Sequence, residues 1–170
     1  MDDAPAYQPV AILRALLEGG VDFVVIGGVA VAIQAMPRFT KDLDVCYSTV
    51  GSNLDALGEV LASLNARLRG ISDEVPFVPD ARTLAQTEIV CLTTPVGDID
   101  LLAKPAGAPP YGTLRRRADI VELGGQSIRI ASIEDMLAMK RAAGRPQDLA
   151  DVESLESARR LQRRARKAQP

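Results

Sequence analysis

Asp42-Leu43-Asp44 sits in a segment, Asp42 to Tyr47, where charged and apolar residues alternate at period two. That alternation predicts a strand. On a strand, residues two apart share a face, so Asp42 and Asp44 point the same way while Leu43 and Val45 turn to the core. Neighbouring carboxylates repel when ionised. The arrangement is poor for stability but suits a divalent cation such as Mg²⁺ or Mn²⁺. Magnesium takes hard oxygen ligands, typically one or two carboxylates together with substrate phosphates. Two such ions can clamp the attacking and leaving oxygens of phosphoryl transfer. Upstream, Gly27-Gly28 ends a β-branched and aromatic run, Val21 to Ile26, and precedes a short apolar stretch. Without β-carbons there, the backbone can approach a phosphate closely, and a helix N-terminus offers free N–H groups. Thirteen residues lie between Gly28 and Asp42, room for one helix and a returning strand.

The composition narrows the chemistry. The 170 residues contain no histidine, which excludes a His general base, a Ser–His pair and His-ligated metals. Only Cys46 and Cys91 are present, which excludes a zinc cluster or disulfide framework and fits thiols in a reducing compartment. Carboxylates, Lys and Arg must carry any catalysis. At 47% hydrophobic and 25% charged residues, the composition is that of an ordinary globular chain. The net charge of −2 divides into about −8 for residues 1–156 and +6 for Ser157 to Pro170. The tail (Arg159, Arg160, Arg163, Arg164, Arg166, Lys167) reads as a polyanion contact or as a solvated helix end. The start of the chain lacks the basic and apolar regions of a signal peptide. The longest apolar stretch, Val21 to Met36, is interrupted by Asp22, Gly27, Gly28 and Gln34, too broken for a membrane span. A cytoplasmic location with no membrane partner is expected.

Other elements follow from pattern. Helices are expected over Val10–Leu17, Val29–Met36, Ser52–Arg69 (leucines at three- and four-residue steps), Ser132–Ala143 with a Ser-x-x-acid capping box, and from about Gln147 into the basic tail. Strands are expected at Glu88–Leu92 and Asp98–Leu102. Ile120–Leu123 and Ser127–Ile130 form a hairpin across Gly124-Gly125. Ile71–Ala85 and Pro105–Gly112 read as loops. The sum is a mixed α+β domain over 1–170, with an α/β core over about 10–130 and C-terminal helices over about 131–170.

These motifs resemble the nucleotidyltransferase superfamily of DNA polymerase β type, whose signature is apolar-Gly-Gly/Ser followed by acid–apolar–acid. Within it the chain is similar to the small bacterial AbiEii/MenT toxins. It shows Gly27-Gly28-Val29-Ala30, then Arg38-Phe39-Thr40-Lys41-Asp42-Leu43-Asp44. A later run, Lys140 to Asp151, matches the family's Lys-x-x-Ala-x-Arg-x-x-Asp-x-x-Asp pattern. The resemblance implies a mixed sheet flanked by helices and transfer of a nucleotide from an NTP with release of pyrophosphate. It implies Asp42 and Asp44 as metal ligands and a third carboxylate on a neighbouring strand, with Asp100 the first choice and Asp98 the second. Lys140, taken to lie on the exposed side of its helix, would reach the phosphates as a point charge. Asp148 or Asp151, three apart on one helix face, would orient it, or both would serve as helix N-terminal acids. Gly27, Gly28, Arg38 and Thr40 would flank the nucleotide. Thr40 also occupies the position of a hydroxyl that a partner antitoxin phosphorylates in such toxins.

The acceptor follows less directly. Arg115-Arg116-Arg117 and the basic tail point to RNA through phosphate neutralisation, and the toxin resemblance implies the 3′ end of tRNA as the acceptor. Aromatic residues make up only 4% of the chain, so base-stacking platforms are scarce. Two other readings stand beside this one: transfer to a small-molecule (aminoglycoside-like) or protein hydroxyl, and a non-enzymatic nucleotide- or partner-binding module.

Overall fold

The computed structural model describes residues 7–72 and 75–168. Helix α1 (Pro9–Glu18) leads into strand β1 (Phe23–Ile26), helix α2 (Gly27–Gln34) and strand β2 (Asp42–Tyr47). Helix α3 (Gly51–Ser63), the short strand β3 (Arg67–Leu68) and helix α4 (Ala81–Ala85) come next. Strands β4 (Ile89–Thr94) and β5 (Gly97–Leu102) precede helix α5 (Tyr111–Arg117) and strands β6 (Asp119–Leu123) and β7 (Gln126–Ile130). Helices α6 (Ile133–Ala143) and α7 (Pro146–Ala168) end the described chain.

The strands form one mixed sheet in the order β3-β4-β5-β2-β1-β7-β6, so the fold is α+β as the sequence implied. Central strands β2 and β5 run parallel; β1 and β4 flank them in antiparallel pairing. One face carries the core. Leu43, Ile99 and Leu92 align across β2, β5 and β4, all fully buried. Truncating any of them to Ala costs about 2–5 kcal/mol. The same alignment turns the residues between them to the opposite face, where the acidic side chains lie.

Local signals explain most boundaries. Ser132 caps α6 by accepting the Asp135 N–H at 3.2 Å, and Gly144 ends it in the left-handed region at φ 63°. The β6–β7 turn places Gly124 and Gly125 at φ 60° and 80°, the positive values a two-residue hairpin turn needs. Four expectations need correction. Helix α2 begins at Gly27 itself, not at Val29, so the glycines form its first turn. Helix α3 stops at Ser63 rather than Arg69, because Asn65 adopts φ 49° and turns the chain into β3. The stretch read as loop at Ile71–Ala85 contains α4, whose cap Asp80 accepts the Thr83 N–H at 2.8 Å. The loop read at Pro105–Gly112 gives way to α5 already at Tyr111.

Candidate active site

Strand register builds the acidic face. Asp42 lies opposite Asp98 and Asp44 opposite Asp100 in the parallel β2–β5 pairing. Residues in register across a sheet share a face, so all four carboxylates project to one side. Both candidates for the third carboxylate are therefore on the site's face. Asp100, beside Asp44, is the less exposed of the two (18% against 28%).

Asp44 is half-buried, against the start of α2. Burial raises its carboxyl to about 6, and the Asp42 charge adds to the rise; Lys140, the Gly28 N–H and Arg145 pull the other way. The glycines are required by this packing. Gly27 has φ 66°, and a side chain on it would collide with the Asp44 carboxylate. One on Gly28 would collide with Thr40 and Arg38. Gly27-Gly28 thus lets the start of α2 close on Asp44, with the Gly28 N–H donating to it.

Asp42 has a different partner, which sequence reasoning missed. Arg69 follows β3, and its backbone N–H donates to the Cys91 carbonyl at 3.0 Å. Its side chain crosses β4. Nη1 lies 3.3 Å from Asp98 Oδ2 and 3.5 Å from Asp42 Oδ2, and Nη2 contacts Asp100 Oδ1. Below this cluster, the Tyr7 hydroxyl donates to the Asp42 carbonyl at 2.8 Å and accepts from Thr40 Oγ1 at 3.4 Å.

Lys140 is not on the exposed side of α6. It is 5% exposed, and its Nζ lies 3.0 Å from Asp148 Oδ1 and 2.8 Å from Asp151 Oδ2. Its spacing shows why: Lys140 lies four residues after Met136 and three after Leu137, both buried core residues. Arg145 completes the cluster, with its Nε and its backbone N–H both donating to Asp148 Oδ2, at 2.9 and 3.0 Å. Burial opposes ionisation of Asp148, but Arg145 and Lys140 outweigh it and hold its carboxyl down at about 2. Arg38 Nη1 reaches Asp151 Oδ1 at 3.4 Å. Arg38 and Thr40 precede β2 in irregular backbone.

A cleft of about 320 Å³ lies between Asp44 and the Lys140–Arg145 pair. Its apolar side includes Ile26, Leu102 and Met136; Gly27 and Asp44 stand at one part, Lys140 and Arg145 at another. An apolar surface with an acid and two cations fits a base and its phosphates.

The proposed RNA contacts fare unequally. Arg115 is engaged with Asp22 at 2.8 Å and Arg117 with Asp135 at 3.2 Å, while Arg116 bonds within its own helix. The Arg115–Arg117 run is therefore not one free basic surface. In the tail, Arg159 is half-buried, while Arg160, Arg163 and Arg164 are exposed on α7. Phe39, 82% exposed on the segment between Arg38 and Asp42, is the one exposed aromatic among the described residues. Its signal in the sequence was its flanks, Arg38 and Lys41.

The residues present fit a hard divalent cation. Among the described residues no three acidic or thiol side chains converge into a ready-made cage. Two carboxylates on one face suffice where substrate phosphates complete the shell. Asp44, held half-protonated near pH 6 by burial and Asp42, is a carboxyl that a cation would ionise.

The chain's likenesses to known proteins agree with this geometry. The profile of the AbiEii family, described as nucleotidyl transferase AbiEii toxin of type IV toxin–antitoxin systems, matches residues 11–168. No curated protein matches by sequence. Among solved structures the fold is similar to the lincosamide antibiotic adenylyltransferase LnuA in its lincomycin-bound form. There the TM-score is 0.60 at 14% identity, over 88% of this chain and 95% of that one. It is also similar to the antibiotic-resistance factor ANT(2'')-Ia, with a TM-score of 0.54 at 16% identity, over 94% and 91% of the two chains. The chain belongs to the AbiEii family and is a nucleotidyltransferase. No helix among the described residues is long and apolar enough to cross a membrane.

Proposed function

We propose that this AbiEii-family nucleotidyltransferase transfers nucleotides from an NTP to the 3′ end of tRNA and so blocks translation. The observation that carries the chemical half is the register that aligns Asp42, Asp44 and Asp100 on one sheet face, next to a cleft walled by Lys140 and Arg145. Asp42 and Asp44 would hold the divalent cation. When bound, it supplies charge neutralisation at the transferring phosphoryl group.

This chain's residues do the rest. Lys140 and Arg145 give the cleft wall its positive charge, where the triphosphate is held. Arg145 is the more accessible of the two, with 61% of its side chain exposed. The start of α2 presents the Gly28 N–H beside Asp44. Asp100 accepts the proton of the acceptor hydroxyl as that oxygen attacks the α-phosphorus. The bond from the α-phosphorus to the bridging oxygen breaks, and pyrophosphate leaves. Positioning and electrostatics supply nearly all of such catalysis, so the absence of histidine is no obstacle.

The RNA half rests on the exposed arginines of α7 and on Phe39. Stacking of a base on an aromatic ring is worth about 1–3 kcal/mol. The test is incubation with labelled NTPs, Mg²⁺ and total tRNA. Label on tRNA with wild type and none with Asp42→Ala is expected; unlabelled tRNA with both overturns the assignment.

The second reading changes the acceptor to a small-molecule hydroxyl, as the lincomycin-bound adenylyltransferase suggests. Truncation after Glu156 separates the two. It removes the basic tail but leaves Asp148, Asp151 and Leu155 in place, so it impairs transfer to RNA and spares transfer to a small molecule. An antitoxin partner follows from membership of a toxin–antitoxin family. Phosphorylation of Thr40 by that partner would set about two negative charges beside Asp42 and repel the NTP. Unmodified Thr40 in mass spectra after co-expression with a kinase-like antitoxin would refute this.

A further inference from the structure

Arg69 has no place in the chemistry above, yet it touches three of the four carboxylates on the acidic face. We infer that Arg69 is an internal counter-ion. It occupies the cationic position of the carboxylate face until metal and nucleotide arrive together, and so couples the binding of the two. The inference rests on the reading of Asp42 and Asp44 as metal ligands.

The backbone of Arg69 is fixed by its hydrogen bond to Cys91, while the side chain extends over β4 toward β5 and β2. The guanidinium is permanently charged, so the face carries a cation at every working pH. Its contacts are open to water. The Arg69 side chain is 30% exposed and that of Asp42 is 36% exposed. Ion pairs of that kind are weakly held and exchange. The Lys140 pairs, at 6% exposure or less, do not share this property.

A divalent cation held by Asp42 would lie beside the Arg69 guanidinium, whose Nη1 is 3.5 Å from Asp42 Oδ2. Like charges so close repel, and the guanidinium must leave. Once released it needs an anion. Its planar fork of donors matches phosphate oxygens in a bidentate fashion, and the incoming triphosphate supplies them. Metal alone therefore binds against Arg69, whereas metal with NTP binds with Arg69 re-paired. Two ligands that relieve each other's cost in this way are thermodynamically coupled. A free NTP would then load the site only in its metal-bound form. If Arg69 were instead a staple between β3 and β5, its loss would weaken the fold and leave metal affinity unchanged.

The test is a Mn²⁺ titration of the full chain, with free Mn²⁺ followed by EPR. It is run alone and with α,β-methylene ATP, GTP, CTP and UTP. For Mn²⁺ alone, Arg69→Ala is expected to bind about tenfold more tightly than wild type, and Arg69→Lys to restore the weak binding. The affinity gained on adding the analogue is expected to be smaller in Arg69→Ala than in wild type. Equal or weaker Mn²⁺ binding by Arg69→Ala overturns the inference. Should Arg69→Ala fail to fold, the guanidinium Nε–H signals of ¹⁵N-labelled wild type decide the point. The Arg69 signal is expected to move when Mg²⁺ and analogue are both present, and an unmoved signal overturns the inference. Failure of the underlying reading looks different: wild type would bind no Mn²⁺ even with an analogue, or Asp42→Asn would bind it as well as wild type.

Discussion

Two ion clusters lie on either side of Asp44, one lining the cleft through Lys140 and Arg145 and the other on the sheet face beside it, and they are built on opposite plans. One gathers Lys140 and Arg145 with Asp148 and Asp151 where α6 meets α7. The Lys140, Asp148 and Asp151 side chains there are 1–6% exposed. The other sets Arg69 among Asp42, Asp98 and Asp100 at 18–36% exposure. In the first, each buried charge has close partners of opposite sign, so the cluster is closed and fixes how two helices meet. In the second, one guanidinium serves three carboxylates and water reaches all of them. A buried network gives rigidity, and a half-exposed one with surplus negative charge can exchange its cation. The molecule places its fixed charges against the cleft wall and its exchangeable ones on the floor of the sheet.

Substitutions should separate the two clusters. Asp42→Asn or Asp44→Asn is expected to lower nucleotide transfer about a thousandfold, the several kcal/mol a metal ion contributes. Thermal stability should hardly change, because the substitution also relieves repulsion; activity and melting curves on the same samples check this. Lys140→Met should lower stability as well as nucleotide binding. It leaves Asp148 and Asp151 buried without their ammonium, which costs about 3–5 kcal/mol of stability, readable by urea denaturation.

The clusters should also part on a pH axis. Asp44 titrates near 6 in the metal-free protein, so protons compete with the cation below that value. Mn²⁺ affinity should fall about tenfold per pH unit as pH drops below 6. The raised carboxyl means the folded state holds this proton more tightly than the unfolded chain does. Its contribution to metal-free stability is therefore lost as pH rises from about 4 through 6. Asp148, held near 2, has the opposite sign: its stabilisation is present above about pH 4 and lost as pH falls toward 2. Between pH 6 and 4 the open site is expected to lose metal while the closed cluster keeps the fold. A smaller effect is expected from Thr40→Glu, whose charge beside Asp42 should raise the KM for NTP about tenfold. Truncation after Glu156 should cost only about 1 kcal/mol of stability, since it removes Ala158 from the edge of the core while residues 161–168 are exposed.

Much of the open site was legible because strand parity is a strict code. Period-two alternation placed β2 correctly from Asp42 to Tyr47 and put Asp42 and Asp44 on one face, while the shared side of Asp98 and Asp100 came from the parallel β2–β5 register. Arg69 was hidden because Leu64 and Leu68 continue the leucine spacing of α3 past its end. Only Asn65 marks the break, and a single Asn in the left-handed region leaves no periodic trace. The closed cluster was legible in type but not in setting. Lys140 read as a solvent-facing charge, although its spacing from Met136 and Leu137 put it on the buried side. Its partners Asp148 and Asp151 sit on the next helix, and pairing across a helix junction has no signature in local pattern. Arg145 stood in the matched motif without a role until the structure set its guanidinium on Asp148.

The most direct measurement counts pyrophosphate released against nucleotide incorporated into tRNA, for wild type, Asp42→Asn and Asp44→Asn in Mg²⁺. One pyrophosphate per incorporated nucleotide in wild type, with both signals lost in the two variants, is the expected result. Equal incorporation by wild type and the variants, or pyrophosphate release with no nucleotide on tRNA, would contradict metal-assisted transfer to tRNA at this sheet face.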